Sequence, residues 1–449
     1  MESSGRTPVI IVGGGLSGLA AAVDLAAAGV PVLLLEQKPA PGGRARSFVD
    51  AATGDEVDNG QHLLIAGYTH TLAFLERVGS RRLVDVQHRP VIPFHHPVRG
   101  FVDFRLPALP SPLHMLWGVL RTPLLSIRNR LALLRGGAAL RLEHAESADG
   151  MTIAGWLDAH GQPEEVRRCF WEPLAVAIMN ERIERAPARL FLDALRQAFL
   201  RHRRDAALVF PRAGLSRLFA EPACAFIAEH GGEVRCNADV VRIAIAGGLA
   251  KEVVLKSGET LRSPVLVLAV PPDRAGSLVP GIMGTPVGTQ HAVSLQGSRP
   301  SPILSMHLWM NPDFMKQEVL GLIGRRIHWV FRKERHLSVV ISAAYDFVDL
   351  SNEELVTIAL EDLREVFGGS VPVPSHSVVI REKKATFLPR DGASSRPGPR
   401  TGVENLFLAG DWTDTGLPAT IEGAILSGQA AAALALRSLQ LKPELAIFD

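Results

Sequence analysis

Residues 9–47 read VIIVGGGLSGLAAAVDLAAAGVPVLLLEQKPAPGGRARS, and the fold follows from this run. Val9 to Val12 form a β-branched strand. Gly13, Gly15 and Gly18 then follow at the spacing of a tight turn, a close backbone approach to a pyrophosphate and close helix–strand packing. The helix that opens at Leu16 and Ser17 buries Leu19, Val23 and Leu25, ends at Gly29 and aims its amides and positive dipole end at the phosphates. Val30 to Leu35 return as the second parallel strand, leaving Glu36 and Gln37 at its tip. Glu36 is placed to accept hydrogen bonds from a ribose diol. An acid at this place favours an unphosphorylated ribose, hence FAD or NAD over NADP at this site.

Pro41-Gly42-Gly43-Arg44-Ala45-Arg46-Ser47 decides between the two, because it resembles the turn after the second strand in flavoproteins of the amine oxidase and phytoene desaturase superfamily. The resemblance implies that Gly42, Gly43 and Ala45 let the chain pass the pyrophosphate while Arg44 supplies donors, with Arg46 in reserve. Near the other end, Asn405-Leu406-Phe407-Leu408-Ala409-Gly410-Asp411-Trp412 resembles the second flavin motif of that superfamily. Asp411 would bind the ribityl or pyrophosphate portion, and Gly410 would admit the backbone. Ile421-Glu422-Gly423-Ala424 opens a last helix whose amides, at Gly423 and Ala424, would lie by the pyrimidine edge of the flavin. Val241 stands where this family holds adenine through main-chain groups.

At 449 residues the chain outgrows a single core, so two domains are expected. Hydrophobic residues make up 47% and charged ones 21%, and the mean hydropathy of +0.15 is on the greasy side of globular. A net charge of +2 gives no electrostatic case for nucleic acid. Cys169, Cys224 and Cys236 have neither metal-ligand nor redox-pair spacing, so no metal is expected, and small buried thiols fit a reducing, cytoplasmic compartment. With the first strand at Val9 and no apolar run of about 20 residues, neither a signal peptide nor a membrane span is expected.

Three separated pieces, 1–85, 206–272 and 401–449, read as one cofactor domain. The insertions 86–205 and 273–400 read as an α+β substrate domain, the first proline-rich and then helical. In the second, strands precede a helix at Ser351 to Phe367 with a Ser351/Glu354 capping box. Pro389 to Arg400 reads as a flexible loop. Between Phe101 and Leu140, short leucine-rich helices carry Trp117 and Arg121, Arg128, Arg130 and Arg135, and Arg141 follows. Such helices could rest on a bilayer, on the inner face of the cell membrane, or pack as a cap on the protein itself.

Asp58-Asn59-Gly60-Gln61-His62 lies where related flavoproteins pass beside the isoalloxazine ring. With the other motifs it resembles the hydroxysqualene dehydroxylases, a squalene-associated FAD-dependent branch of the superfamily. The resemblance implies an α/β, Rossmann-like FAD domain of the glutathione-reductase and amine-oxidase type carrying an inserted substrate domain. It also implies a lipophilic C30 isoprenoid substrate, an allylic alcohol that loses its hydroxyl and gains hydrogen from reduced flavin to give squalene. Squalene-synthase-like enzymes would act upstream. His62, Asp414 and Glu422 are the candidate acids. No second nucleotide-binding run follows a strand, so NADPH, if used, visits the flavin only transiently. Two other readings stay open: an oxidative polyene desaturase or amine oxidase, and a flavin-binding membrane scaffold without turnover. Having only two tyrosines, Tyr68 and Tyr345, counts against an amine oxidase's aromatic cage.

Overall fold

The computed structural model describes residues 7–280, 299–388 and 396–441. Strand β1 (Val9–Val12) runs into helix α1 (Leu16–Ala27) and returns as β2 (Val32–Leu35). These build the centre of a five-stranded parallel sheet in the order Glu233–Arg235, β2, β1, Leu266–Leu268 and Leu406–Leu408. β1 and β2 are buried throughout, which is why they read as continuous aliphatic runs rather than alternating ones.

α1 and the closing helix Ile421–Leu441 cover one face of the sheet. They approach so closely that a Cβ on Gly428 would lie 2.1 Å from the Ser17 carbonyl oxygen. A three-stranded antiparallel meander, Val240–Ala246, Leu249–Leu255 and Thr260–Leu261, packs on the other face. In the second piece of this domain a wide turn, Ser216–Ala220, runs into a regular helix, Glu221–Glu229. Pro222 lacks the amide that would continue the ladder, so the turn before it widens.

The second body is a seven-stranded sheet in the order His376–Leu388, Arg299–Trp309, His336–Ser342, Trp329–Arg332, Val319–Leu322, Val91–His96 and Gly100–Arg105. Its last two strands come from a stretch read as proline-rich connection. They pair here because Gly321 and Leu322 lie beside Phe94 and His95. One face, with Leu304, Met306, Leu308, Val339 and Ile341, packs on the helix Asn352–Phe367. Ser351 Oγ accepts from the Glu354 amide at 3.2 Å and Glu354 accepts from the Ser351 amide at 2.8 Å, so both halves of the capping box are present. The opposite face meets a helical layer through Val340, Trp329, Phe331 and Phe94.

A short hairpin, β3 (Ser47–Val49) and β4 (Glu56–Asp58), carries the chain from the glycine turns toward the second sheet. Helix α2 (Thr69–Arg77) follows, and after the hairpin at 91–105 come α3 (Leu113–Arg121) and α4 (Ile127–Leu142).

Candidate active site

The first glycine turn divides its three roles cleanly. A Cβ on Gly18 would lie 1.9 Å from the Gly13 carbonyl oxygen, and one on Gly13, at φ +108°, would lie 2.4 Å from that of Ala269. Those two positions are filled by protein. A Cβ on Gly15 would meet nothing within 4 Å. Gly15 also N-caps α1 with no side chain attending the helix end, so the open space lies against the amides of Leu16, Ser17 and Gly18. That is a cradle for an anionic group. Gly42 donates its amide to Gly14 O at 2.7 Å, and a Cβ on Gly43 would sit 3.1 Å from the Gly15 Cα, so the second glycine turn forms the far lip. Ala45 closes it by donating to Gly42 O.

Glu36 is buried at the tip of β2, where its carboxylate accepts from the amides of Gly14 at 2.7 Å and Lys38 at 2.8 Å. These bonds fix the carboxylate beside the cradle. Its neighbour Gln37 is exposed. Val241 falls at a register shift between the Val240 and Arg242 pairings, and its side chain is exposed. Both features fit a position used for its main chain.

Arg44 and Asp411, 367 residues apart, form an ion pair at 2.7 Å. Arg44 also donates to Ala385 O and lies 5.6 Å from the Phe387 ring centre. Burial works against its charge, but Asp411 and Glu382 outweigh it and hold the guanidinium above the ordinary arginine range. The two residues read as separate cofactor ligands thus first bind each other, locking the cradle, the Gly410-Asp411 turn and the edge strand of the second sheet together. Arg46 is exposed; its amide donates to Asn59 Oδ1 and its carbonyl accepts from the Asn59 amide.

Around the last helix each candidate residue has partners within the protein. The Glu422 carboxylate is fully buried and accepts from His70 N, Thr71 N and Thr71 Oγ1 at 3.0, 2.8 and 2.6 Å. It caps α2, whose own N-cap, Tyr68, makes no side-chain capping hydrogen bond. The Gly423 amide donates to Thr420 Oγ1 and the Ala424 amide to Thr420 O. The space beside Gly410 is taken by the Trp412 indole, which would lie 2.4 Å from a Cβ at that position. Asp414 is exposed and accepts from the Gly416 amide, turning the chain. Part of Pro389 to Arg400, residues 389–395, lies outside the described residues. Arg396 itself is buried and holds Thr413 O, Leu417 O and Thr415 Oγ1, so that end of the loop is anchored.

The segment Asp58 to His62 is fixed from both sides. Asp58 accepts from Ser47 Oγ and Leu215 N through its side chain, and from His307 Nε2 at 2.9 Å through its carbonyl. His62 is half-buried. Burial pushes its pKa down, Asp58 opposes this and Arg44 adds to it, leaving the ring below the ordinary histidine range. A Cβ on Gly60 would lie 3.8 Å from Ser305 Oγ and 3.9 Å from His62 Nε2, so the second sheet faces this segment directly.

Sequence reasoning missed that sheet face. Ser305, His307 and Trp309 on one strand adjoin His336 and Ser338 on the next. Trp309 stacks on His336 at 5.0 Å and lies the same distance from His376, and it donates to Asp55 at 2.7 Å. Burial lowers His307, and burial with the neighbouring His307 takes His336 to about 4. The available signal was a polar residue at every second position of an otherwise aliphatic strand, Ile303 to Trp309.

The family model of flavin-containing amine oxidoreductases matches residues 16–436. The hydroxysqualene dehydroxylases of Sinorhizobium fredii and Rhodopseudomonas palustris are 32% and 33% identical to the chain, each match covering 95% of this chain and 98% of theirs. The 15-cis-phytoene desaturase of Glycine max is 24% identical over 96% of this chain and 80% of its own. An oxidoreductase from Methanosarcina mazei superposes with a TM-score of 0.73 at 18% identity, over 95% of this chain and all of that one. A parallel sheet, a cradle open at one glycine and an end-to-end family match agree: this chain belongs to the flavin-containing amine oxidoreductases, as a flavin-dependent oxidoreductase alongside the hydroxysqualene dehydroxylases.

Proposed function

We propose that the chain holds FAD and reductively removes the hydroxyl of hydroxysqualene, giving squalene for terpenoid or hopanoid synthesis. The observation that carries this reading is the full-length match to dehydroxylases, against a more distant match to desaturases that run beyond it. In the balanced reaction the C–O bond breaks, the oxygen leaves as water with an added proton, and a C–H bond takes its place. FAD, bound in its reduced state, supplies the electron pair and hydrogen for that bond.

The residues divide this work. The amides at Gly15, Leu16, Ser17 and Gly18 and the turn Gly42-Gly43 bind the pyrophosphate, Glu36 the adenosine ribose, and the Val241 main chain the adenine. Arg44 lends its charge to the pyrophosphate, with Asp411 setting its orientation. Gly60 and Gln61 border the ring, and His62 is the proton donor, facing the same gap as Ser305. The pieces 1–85, 206–272 and 401–449 form the FAD domain in this account, and the remainder receives the isoprenoid.

Leu113, Leu116, Trp117 and Leu120 form one exposed stripe on α3, extended by Ile127 and Leu131 of α4, with Arg121 against the Trp117 ring. Among the described residues no helix is long and apolar enough to cross a membrane. The stripe instead supports shallow contact with the inner face of the cell membrane, where substrate from squalene-synthase-like enzymes would be collected. NADPH serves as a transient reductant in this account. Anaerobic mixing of the photoreduced holoprotein with hydroxysqualene tests the proposal: flavin reoxidation with squalene formation is expected. Oxidised holoprotein that instead desaturates squalene or phytoene would move the chain to the oxidative reading.

A further inference from the structure

The seven-stranded sheet turns three unsatisfied polar atoms toward the flavin-side segment. His307 Nδ1, Ser305 Oγ and Ser338 Oγ are each sealed from solvent and lack any hydrogen-bond partner among the described residues. Their residues are 1%, 1% and 0% exposed. His307 and Ser338 are direct cross-strand partners and Ser305 lies two residues along the same strand, so all three share one sheet face. That face is the one Ser305 turns toward Gly60 and His62. Next along it, Phe331 pairs with Ser338 and Trp329 with Val340, so the polar group opens onto an aromatic lane.

A buried polar atom without a partner is costly, and three on one face call for a common partner. The partner's chemistry follows from the atoms. His307 donates Nε2–H to the Asp58 carbonyl, which fixes its tautomer and leaves Nδ1 an acceptor. The serines can donate. A neutral group that gives one hydrogen bond and takes one or two fits these atoms, as an alcohol or water does, and the charge of Lys333 acts on His307 and His336 from one side; of such groups, the alcohol is the one a lipophilic substrate carries.

We infer that Ser305, His307 and Ser338 form the alcohol-recognition site, His307 Nδ1 accepting the substrate O–H and the serine hydroxyls donating to its oxygen. Loss of the hydroxyl as water leaves a hydrocarbon that satisfies none of the three atoms. The site therefore discriminates alcohol from product and favours product release. The inference rests on the dehydroxylase reading for its place in the reaction, but its test does not require turnover.

The test is equilibrium binding to oxidised holoprotein, in detergent micelles, of hydroxysqualene and of squalene, followed by flavin absorbance or fluorescence perturbation. Wild type is expected to prefer the alcohol. The S305A/S338A double variant, with flavin content and melting temperature checked, should bind the alcohol about tenfold more weakly or worse while holding squalene equally or more tightly. H307F should also erase the preference, and H307Q, which keeps an acceptor, should restore part of it. A preference unchanged in the serine variant, or a loss equal for both ligands, overturns the inference. Should wild type prefer the alcohol through these residues yet fail to turn it over when reduced, the dehydroxylase reading fails and the site stands.

Discussion

The two surfaces that face each other across the site satisfy their polar groups in opposite ways. On the parallel-sheet side, charge is fixed and paired: Arg44 with Asp411, Glu36 with two amides. The α1 amides there stand against the open space at Gly15. On the seven-stranded side three neutral polar atoms have no partner among the described residues. A surface of the first kind suits a charged group that stays; one of the second suits a neutral group that comes and goes. The cofactor and substrate roles proposed for the two sheets are therefore separable by substitution.

The largest effect expected is at Gly18. G18A forces a methyl to 1.9 Å from the Gly13 carbonyl oxygen, so the turn must open, costing about 3 kcal/mol or more. The purified protein should be nearly colourless and poorly folded. G15A meets no protein atom, so it should melt normally without cofactor yet retain less flavin; equal melting losses for the two would erase the distinction between packing and ligand-facing glycines.

Next in size is the acid response of the neutral side. His328 and His336 sit near 4 against an ordinary 6.5 because burial disfavours their charged forms. The unfolded chain therefore takes up protons first. Stability is complete above about pH 6.5 and falls toward pH 4, by on the order of 3 kcal/mol per histidine at the acid end. Urea midpoints measured across that range should fall with pH, and H336F should flatten part of the slope. A midpoint that holds constant to pH 4 would contradict the buried neutral assignment.

Removing one partner of the cradle ion pair comes third. D411A leaves the guanidinium unpaired, worth about 2 kcal/mol once its partial exposure is discounted, and R44A/D411A should cost less than the two single changes summed. E422Q is the smallest, roughly 1 kcal/mol through weaker capping of α2. Its single-turnover flavin oxidation rate should match wild type, whereas an acid role would make it slow.

What was legible from sequence tracks how local the determinant is. β1, the glycine turn, α1 and Glu36 lie within 28 residues, and each residue's role follows from its neighbours; the Ser351/Glu354 box was readable for the same reason. The hairpin Val91–His96 and Gly100–Arg105 was not, because its strand character depends on Val319–Leu322, more than 200 residues away. The capping contacts of Glu422 were not legible for a related reason. Its partner is the N-terminus of a helix some 350 residues earlier, and only the structure shows that Tyr68 leaves that end in need of an acceptor.

The most direct test of the dehydroxylase reading is an anaerobic titration of the two-electron-reduced holoprotein with hydroxysqualene, counting flavin oxidised and squalene formed. One squalene per flavin is expected in wild type, and a slower reaction of unchanged stoichiometry in H62Q and in S305A/S338A. Flavin that stays reduced in the presence of the alcohol, or that is oxidised without squalene appearing, would contradict it.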